Sequence, residues 1–199
     1  MKYFFLRDWE RNSAVVAYTQ EAPPISYELI PKLEGKNILP FELVLKSIKI
    51  GKSGLIIEEI LTESKIAWLD YLPNCLAWPL MSEKMKTIIN NNLTGKEDID
   101  WILAEINAIK ERRNYYFPRF KRKLDVLDLQ RTTFVPGTDQ IIKPCFSSQK
   151  VANYNVFHKP ISHYSWKIPS SIYVSETIKN AIESEGLTGV GFDEVSVSK

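Results

Sequence analysis

The spacing of apolar and polar residues along the chain predicts short strands with a few helical segments between them. Residues 2–6 (KYFFL) are a short aromatic run that is typical of a first strand. Residues 41–50 and 55–61 are apolar runs separated by GKSG, and together they predict a β-hairpin over 41–61. The proline-containing region 21–40 predicts loops with one helical turn near SYELI.

Residues 81–95 (MSEKMKTIINNNLTG) predict a helix. Ser82 is a good N-cap, because its hydroxyl can accept a hydrogen bond from the first helical turn. An apolar face follows at i, i+3 and i+4, formed by Met85, Ile88 and Ile89. Asn92 is expected to take the left-handed conformation that often ends a helix. The next segment alternates Ile99, Trp101 and Leu103 with acidic and neutral residues, which predicts a strand.

Residues 174–189 (VSETIKNAIESEGLTG) repeat this pattern. Ser175 is the predicted cap, and Gly186 the predicted stop. The matching apolar face is Ile178, Ala181 and Ile182, and VGFDEVSVS then predicts a strand. With one inserted residue, the two segments share seven identities: Ser82/Ser175, Glu83/Glu176, Lys86/Lys179, Ile89/Ile182, Leu93/Leu187, Thr94/Thr188 and Gly95/Gly189.

The elements together predict an α+β fold of short antiparallel strands with two principal helices. We expect residues 1–199 to form a single compact domain. Within it, pseudo-repeated units around 66–106 and 164–198 predict two similar strand-helix-turn-strand lobes, each an antiparallel sheet with one helix across it. Two copies are too few for a solenoid.

Composition and cysteine usage narrow the class of protein. The chain is 44% hydrophobic and 25% charged, which is typical of globular proteins. No secretory signal is expected, since the first apolar run breaks at Arg7, and no segment is apolar enough to predict a membrane span. Cys75 and Cys145 are expected to be reduced, partly buried thiols in the cytoplasm.

The charge is concentrated in one segment. Residues 110–123 (KERRNYYFPRFKRK) carry a local excess of +6, whereas the whole chain has a net charge of only +2. Three interpretations stay open: an edge strand ending at Pro118 and protected by cations, a protein interface, and a nucleic-acid-binding face with stacking rings. The acidic balance of the remainder makes nucleic acid the less favoured partner.

Few residues of the sequence are candidates for catalysis or metal binding. His158 and His163 lie in a proline-containing loop without neighbouring cysteines or acids, so they predict ordinary loop histidines and no metal site. GKSG lacks the first glycine of a phosphate loop. The acidic clusters EDID (97–100), LDVLD (124–128) and FDE (192–194) each flank a predicted strand, where acids commonly face solvent. We therefore expect no catalytic residues, cofactor or metal.

The ending YVSETIKNAIESEGLTGVGFDEVSV resembles immunity proteins of bacterial polymorphic toxin systems, in the group around the myxobacterial immunity-protein domain. The opening MKYFFL fits their usual first strand. The segments WLDYLPNCLAWPLMSEK and FPRFKRKLDVLD, with FVPGTDQIIKP, are similar to a related immunity family with an α+β core.

This resemblance implies a non-enzymatic, cytoplasmic protein that binds a cognate toxin domain and blocks it by occlusion. The alternative is a nucleic-acid-binding module that uses residues 110–123. Aromatic and arginine side chains commonly anchor protein interfaces. The predicted anchors are Arg112, Arg113, Tyr115, Tyr116, Arg119 and Phe120, with Trp68 and Trp78 added if they are exposed.

Overall fold

The structure, a computed structural model, describes residues 1–8, 14–50, 56–59, 61, 67–161 and 163–198. Within these ranges the fold is α+β, as predicted. The strands are β1 (Tyr3–Asp8), β2 (Ala14–Tyr18), β3 (Leu43–Ile50), β4 (Ile56–Glu59), β5 (Met81–Ser82), β6 (Ile99–Asn107), β7 (Arg112–Phe120), β8 (Thr133–Phe134), β9 (Ile141–Lys143), β10 (Phe146–Ser147), β11 (Val156–His158), β12 (Ile172–Ser175), β13 (Val190–Glu194) and β14 (Val197–Ser198). The helices are α1 (Ser26–Lys32), α2 (Glu83–Asn91), α3 (Ser148–Val151) and α4 (Glu176–Ser184), with a 3-10 helix at His163–Trp166.

Two main sheets organise the described residues. The smaller has the strand order β11–β12–β1–β13 and is antiparallel throughout. The larger has the order β2–β3–β6–β7–β5, with β4 added beside β3. Contrary to the prediction, its strands are not all antiparallel, because β3 and β6 pair in parallel. β3 and β4 pair antiparallel from Ser47–Glu59 to Ile50–Ile56, which confirms the strands of the predicted hairpin. The GKSG turn of that hairpin lies outside the described residues.

The two helices of the repeat connect their strands in the same way. α2 joins β5 to β6, and both strands are antiparallel neighbours of β7. α4 joins β12 to β13, and both are antiparallel neighbours of β1. Each helix therefore links two strands that flank a third, so the repeated sequence pattern builds the same local connection twice.

The predicted N-caps of both helices are confirmed. Ser82 Oγ accepts a hydrogen bond from Met85 N at 3.2 Å, and Ser175 Oγ accepts one from Ile178 N at 3.5 Å. The hydroxyls thus satisfy N–H groups that have no partner within the helix. The apolar faces are also confirmed by burial, most completely at Met85 and Ile89 in α2 and at Ile178 and Ile182 in α4.

The helix ends differ from each other, and the prediction for Asn92 is wrong. Asn92 has a φ of −111°, outside the left-handed region, and its side-chain amide donates to Ile88 O at 2.8 Å. That bond satisfies a carbonyl at the end of the helix, so the left-handed turn comes later, at Gly95 with a φ of 84°. After α4, the predicted stop at Gly186 has a φ of 63°, as expected for a helix-ending glycine.

Asp70 ties the start of α2 to the turn that follows α4. Its carboxylate accepts a hydrogen bond from Ser82 Oγ at 2.7 Å, and from Thr188 N at 2.9 Å and Thr188 Oγ1 at 3.0 Å. Lys84, in the first turn of α2, also forms an ion pair with Glu185 at 3.2 Å. The beginning of one helix therefore lies against the end of the other.

Asn155 makes the corresponding tie at the opposite ends of the helices. Its carbonyl accepts a hydrogen bond from Ser175 N at 2.8 Å, and its side-chain amide donates to Asn92 O at 2.8 Å. Its N–H donates at 2.7 Å to Glu97, a fully buried carboxylate that also accepts bonds from Thr94. The two helices are thus antiparallel, and each N-cap is linked to the exit of the other helix through one bridging residue, Asp70 or Asn155.

Two apolar cores lie on different sides of the larger sheet. The first contains α2, α4 and the smaller sheet, and the second contains α1 with one face of β6 and β7. The predicted strand at β6 is confirmed, but its most buried residues are Ile102, Ala104 and Ile106. Ile99 and Trp101, on the alternate face, are partly buried against the first core. Because both faces of β6 are covered, alternation alone did not identify the more buried one.

His158 is a buried strand residue, contrary to the loop prediction. It lies in β11, with Nε2 accepting a bond from Leu124 N at 3.3 Å and Nδ1 lying 3.0 Å from Lys159 O. Burial lowers the pKa of His158 to about 4, so the folded protein holds it neutral near pH 7.

We expect His158 to make stability depend on pH. Between about pH 6.5 and 4 the unfolded chain binds a proton at this histidine that the folded chain does not, so the free energy of unfolding falls as the pH drops. The predicted loss reaches about 3 kcal/mol. Urea unfolding at a series of pH values, with His158→Gln beside the wild type, measures it. Parallel pH profiles for the two proteins would contradict this assignment, because the carboxylates titrate in both.

The two equivalent LTG glycines provide a second stability test. Gly95 and Gly189 have φ values of 84° and 77°, but a Cβ on Gly189 would clash with Tyr71 O, whereas a Cβ on Gly95 meets nothing within 4 Å. We expect Gly95→Ala to cost about 1–2 kcal/mol from its backbone conformation alone. Gly189→Ala should cost about 3 kcal/mol or more, because the contact with backbone adds to that strain. Equal midpoints of chemical unfolding for the two variants would show that the close approach is relaxed at no cost.

Candidate partner-binding surface

The basic segment 110–123 is built around β7, which lies between β6 and β5 in the larger sheet. The edge-strand interpretation is therefore wrong: β7 is paired with β6 along its whole length and with β5 at Tyr115 and Tyr116. Pro118 does not end the strand, which continues to Phe120. The proline lies beyond the two residues that pair with β5, where its missing N–H removes no bond to that strand.

Two of the predicted anchors, Tyr115 and Phe120, are core residues. Tyr115 is 2% exposed and donates its hydroxyl to Leu69 O at 2.8 Å, and burial raises its pKa. Phe120 is fully buried, with its ring edge-to-face against His158 at a centroid distance of 4.6 Å. In this structure neither ring is available at the surface to a partner.

Arg119 is a structural clamp between the sheet and the end of α1. Its guanidinium forms a two-bond ion pair with Asp100, with both N···O distances 2.7 Å. It also donates to the carbonyls of Leu33 and Lys36 and to Asn37 Oδ1, so all five of its N–H donors are used. The Asp100 carboxylate raises the pKa of Arg119. This charge is neutralised inside the protein and does not face outward.

The remaining predicted arginines are exposed but paired. Arg112 contacts the carboxylates of Glu42 and Glu105. Arg113 pairs with Glu111 at 3.1 Å and lies over the Trp68 ring at 4.7 Å. Trp68 in turn stacks on Tyr115, so an arginine, a tryptophan and a tyrosine form one layered contact.

Tyr116 lies against α2. The Lys86 ammonium lies 3.7 Å from its ring centroid, and burial together with the neighbouring Glu83 raises the pKa of Tyr116 to about 12. Trp78, the other conditional anchor, is buried edge-to-face on Phe117. Most of the aromatic side chains in and around the basic segment therefore hold elements of the fold together.

Most acids of the three predicted clusters are paired with cations. Asp100 binds Arg119, Asp125 binds Lys150 at 2.9 Å, and Asp193 binds Arg7 at 2.9 Å. Glu97 departs from the expected solvent-facing position, since it is buried and bonded to Thr94 and Asn155. Among the described residues, no three histidine, cysteine or acidic side chains are grouped so that they could hold a metal ion. Cys75 and Cys145 are free and half-buried, as predicted.

A comparison with models of known protein families identifies the family to which the chain belongs. The model of the Imm11 immunity protein family matches residues 57–197. The chain belongs to the Imm11 family. A comparison with curated proteins found no match. A search of the described helices found none that is long and apolar enough to cross a membrane.

The Imm11 match includes both copies of the repeat and the whole of the basic segment. β1, β2, β3 and α1 precede the matched residues. The smaller sheet therefore combines matched strands with an unmatched one, because β1 pairs with both β12 and β13. The family match confirms the resemblance on which the sequence prediction relied.

Arg119 and Arg113, both on β7, form a matched pair for testing the clamp. Arg119→Lys removes the two-bond geometry with Asp100 and leaves backbone carbonyls without donors, so we expect a loss of about 2–3 kcal/mol in the free energy of unfolding. Arg113→Lys changes a side chain that is half exposed, and should cost less than about 1 kcal/mol. Denaturant titrations compare them, and equal losses would contradict the clamp.

Proposed function

We propose that this protein binds a cognate toxin domain of a bacterial polymorphic toxin system and neutralises it by occlusion, without catalysing a reaction. In this proposal it acts in the cytoplasm of the producing cell as a stoichiometric inhibitor. The observation that carries the proposal is the Imm11 family match over residues 57–197.

The environment of the titratable side chains supports a binding role. His158 is held neutral in the core, and Glu97 is enclosed by hydrogen bonds from Thr94 and Asn155. Arg119 uses its N–H donors for hydrogen bonds to Asp100, Leu33 and Asn37 within the protein. These groups are used to fix backbone geometry, which is what a preformed binding surface requires.

We further propose that residues 1–199 form a single domain whose pseudo-repeated units, around 66–106 and 164–198, are two related lobes. The identical strand-helix-strand connections of α2 and α4 support this proposal. So do the bonds through Asp70 and Asn155, because each joins one unit to the other. Lobes joined in this way would present a rigid surface to a toxin.

Growth rescue tests the proposed function. The toxin domain encoded immediately upstream of this gene is expressed from an inducible promoter, with and without this protein. We expect growth to be restored, and the two proteins to co-purify at a 1:1 ratio. A toxin domain from an unrelated system serves as the specificity control and should not be neutralised.

Two outcomes would contradict the proposal. One is the absence of both rescue and co-purification when both proteins are present in comparable amounts. The other is sub-stoichiometric neutralisation, in which a small amount of this protein inactivates an excess of toxin, because occlusion requires one inhibitor for each toxin.

A further inference from the structure

β13 forms one edge of the smaller sheet. Among the residues that the structure describes, β1 is the one strand that pairs with it, so the opposite side of β13 has no neighbouring strand. The other edge of this sheet is β11, whose three residues are buried. In the larger sheet, the outer side of β2 is covered by backbone bonds from Ala17 N to Pro73 O and from Cys75 N to Ala17 O. β13 differs from these edges because nothing in the described part of the chain bonds along its outer side.

The register with β1 shows which main-chain groups of β13 face inward. In an antiparallel pair, opposed residues are alternately hydrogen-bonded to each other and not bonded. Val195 N donates to Tyr3 O at 3.0 Å, so these two residues form a bonded pair. Moving two positions along both strands makes Asp193, and then Gly191, the next residues that bond to β1. The main-chain groups of the residues between them point away from β1.

The outward-facing residues of β13 are Val190, Phe192 and Glu194. Thr188, the preceding residue of the same series, already accepts a bond from Tyr71 N at 3.0 Å, which confirms that this series faces outward. No hydrogen bond from another described residue reaches the N–H or C=O groups of the three outward residues. They present a row of donors and acceptors that repeats about every 7 Å along the strand.

The side chains of β13 do not protect this edge. Natural edge strands are commonly shielded from further pairing by lysine, proline or a bulge. The sequence of β13, VGFDE, contains neither lysine nor proline, and its register with β1 is continuous. Its two acids pair with cations of the same sheet, Asp193 with Arg7 at 2.9 Å and Glu194 with Lys2 at 3.0 Å. The edge is therefore able to accept a further strand.

A cavity of about 330 Å³ opens on the sheet face beside this edge. Asp193 and Val195 line it from the edge, and Phe5 and Tyr173 line it from the next two strands. Lys143 and Asp193 are its charged lining residues, so their charges balance and the cavity does not select a charged group. Every second side chain of an added strand would lie on this face. Strand addition takes affinity from main-chain bonds and specificity from pockets of this kind.

We propose that β13 receives an extended segment of the toxin, which adds a strand to the smaller sheet. This inference rests on the proposed function and identifies the surface that performs it. The main chain of the segment bonds to the outward groups of Val190, Phe192 and Glu194, and one of its apolar side chains enters the cavity beside Asp193. The occupant is a polypeptide, because an extended main chain alternates donors and acceptors at the repeat that β13 presents.

A second copy of this chain is the other polypeptide that could occupy the edge. A two-fold dimer is self-complementary, so β13 would pair antiparallel with itself. In a register centred on Phe192, Glu194 of one copy would lie opposite Val190 of the other, which forms neither a charge pair nor an apolar pair. A register centred on Asp193 would place two carboxylates opposite each other, which is destabilising. A toxin segment of complementary sequence avoids both problems.

Hydrogen exchange of single amides, followed by NMR, tests the proposal on the wild-type protein. In the free protein, the amides of Val190, Phe192 and Glu194 should exchange about 100-fold faster than those of Gly191 and Asp193, which bond to β1. Saturation with the toxin domain that passes the rescue test should slow the three outward amides about 10-fold or more. The inward amides are the internal control, because they are bonded in both states.

A matched pair of substitutions at Glu194 separates main-chain pairing from simple coverage of the edge. Both Glu194→Pro and Glu194→Ala remove the ion pair with Lys2, but the proline variant alone removes the outward N–H. Proline is tolerated in edge strands where the N–H faces solvent. In calorimetric titrations with the toxin domain, Glu194→Pro should bind about 10-fold more weakly than Glu194→Ala. Circular dichroism spectra and urea midpoints establish that both variants are folded.

The outcomes separate this proposal from the proposed function. Outward amides that stay unprotected in a 1:1 complex, or equal affinities for the two Glu194 variants, overturn the added strand and leave the immunity function in place. Outward amides that are already protected in a free protein that sediments as a dimer would assign the edge to a second copy. If the wild type neither binds nor rescues, both proposals fail. The exchange measurement uses the wild type, so it decides the proposal even where Glu194→Pro is unstable.

Discussion

Asp70 connects parts of the chain that are more than a hundred residues apart. One carboxylate oxygen accepts a hydrogen bond from the cap of α2, and the other accepts two from the turn after α4. Charge-assisted bonds of this kind are stronger than neutral ones. Two backbone hydrogen bonds, from Tyr71 N to Thr188 O and from Ser82 N to Asp70 O, join the same segments of the chain. The relative position of the two helices depends on this carboxylate.

At the other ends of the helices, Asn155 and Glu97 link the two helices as Asp70 does, but through different chemical groups. An amide and a buried carboxylate replace the single aspartate, and they bond the exit of α2 to the cap of α4. The arrangement is reciprocal although the residues differ. Because each cap is linked to the exit of the other helix through Asp70 or Asn155, displacing either helix would break hydrogen bonds at both of its ends.

Most charged and aromatic side chains of the basic segment make contacts within the fold. Three of its arginines contact Glu42, Glu105, Glu111 and Asp100, and three of its rings enter the cores. The cations without such partners among the described residues include Lys121 and Lys123 at its end. Most of the charged and aromatic side chains of this segment therefore stabilise the fold.

Local interactions explain what could be predicted from the sequence. The caps at Ser82 and Ser175, the apolar helix faces and the stop at Gly186 depend on residues within a few positions of each other, and all are present. The α+β class follows from the same patterns. The roles of Arg119, Phe120 and His158 could not be predicted without the tertiary structure. Arg119 donates hydrogen bonds to Leu33 O and Asp100, and the Phe120 ring packs against His158. These partners are distant from one another in the sequence. A basic or aromatic residue has the same local signature whether it faces solvent or a distant partner, so only the tertiary structure decided that these residues stabilise the fold.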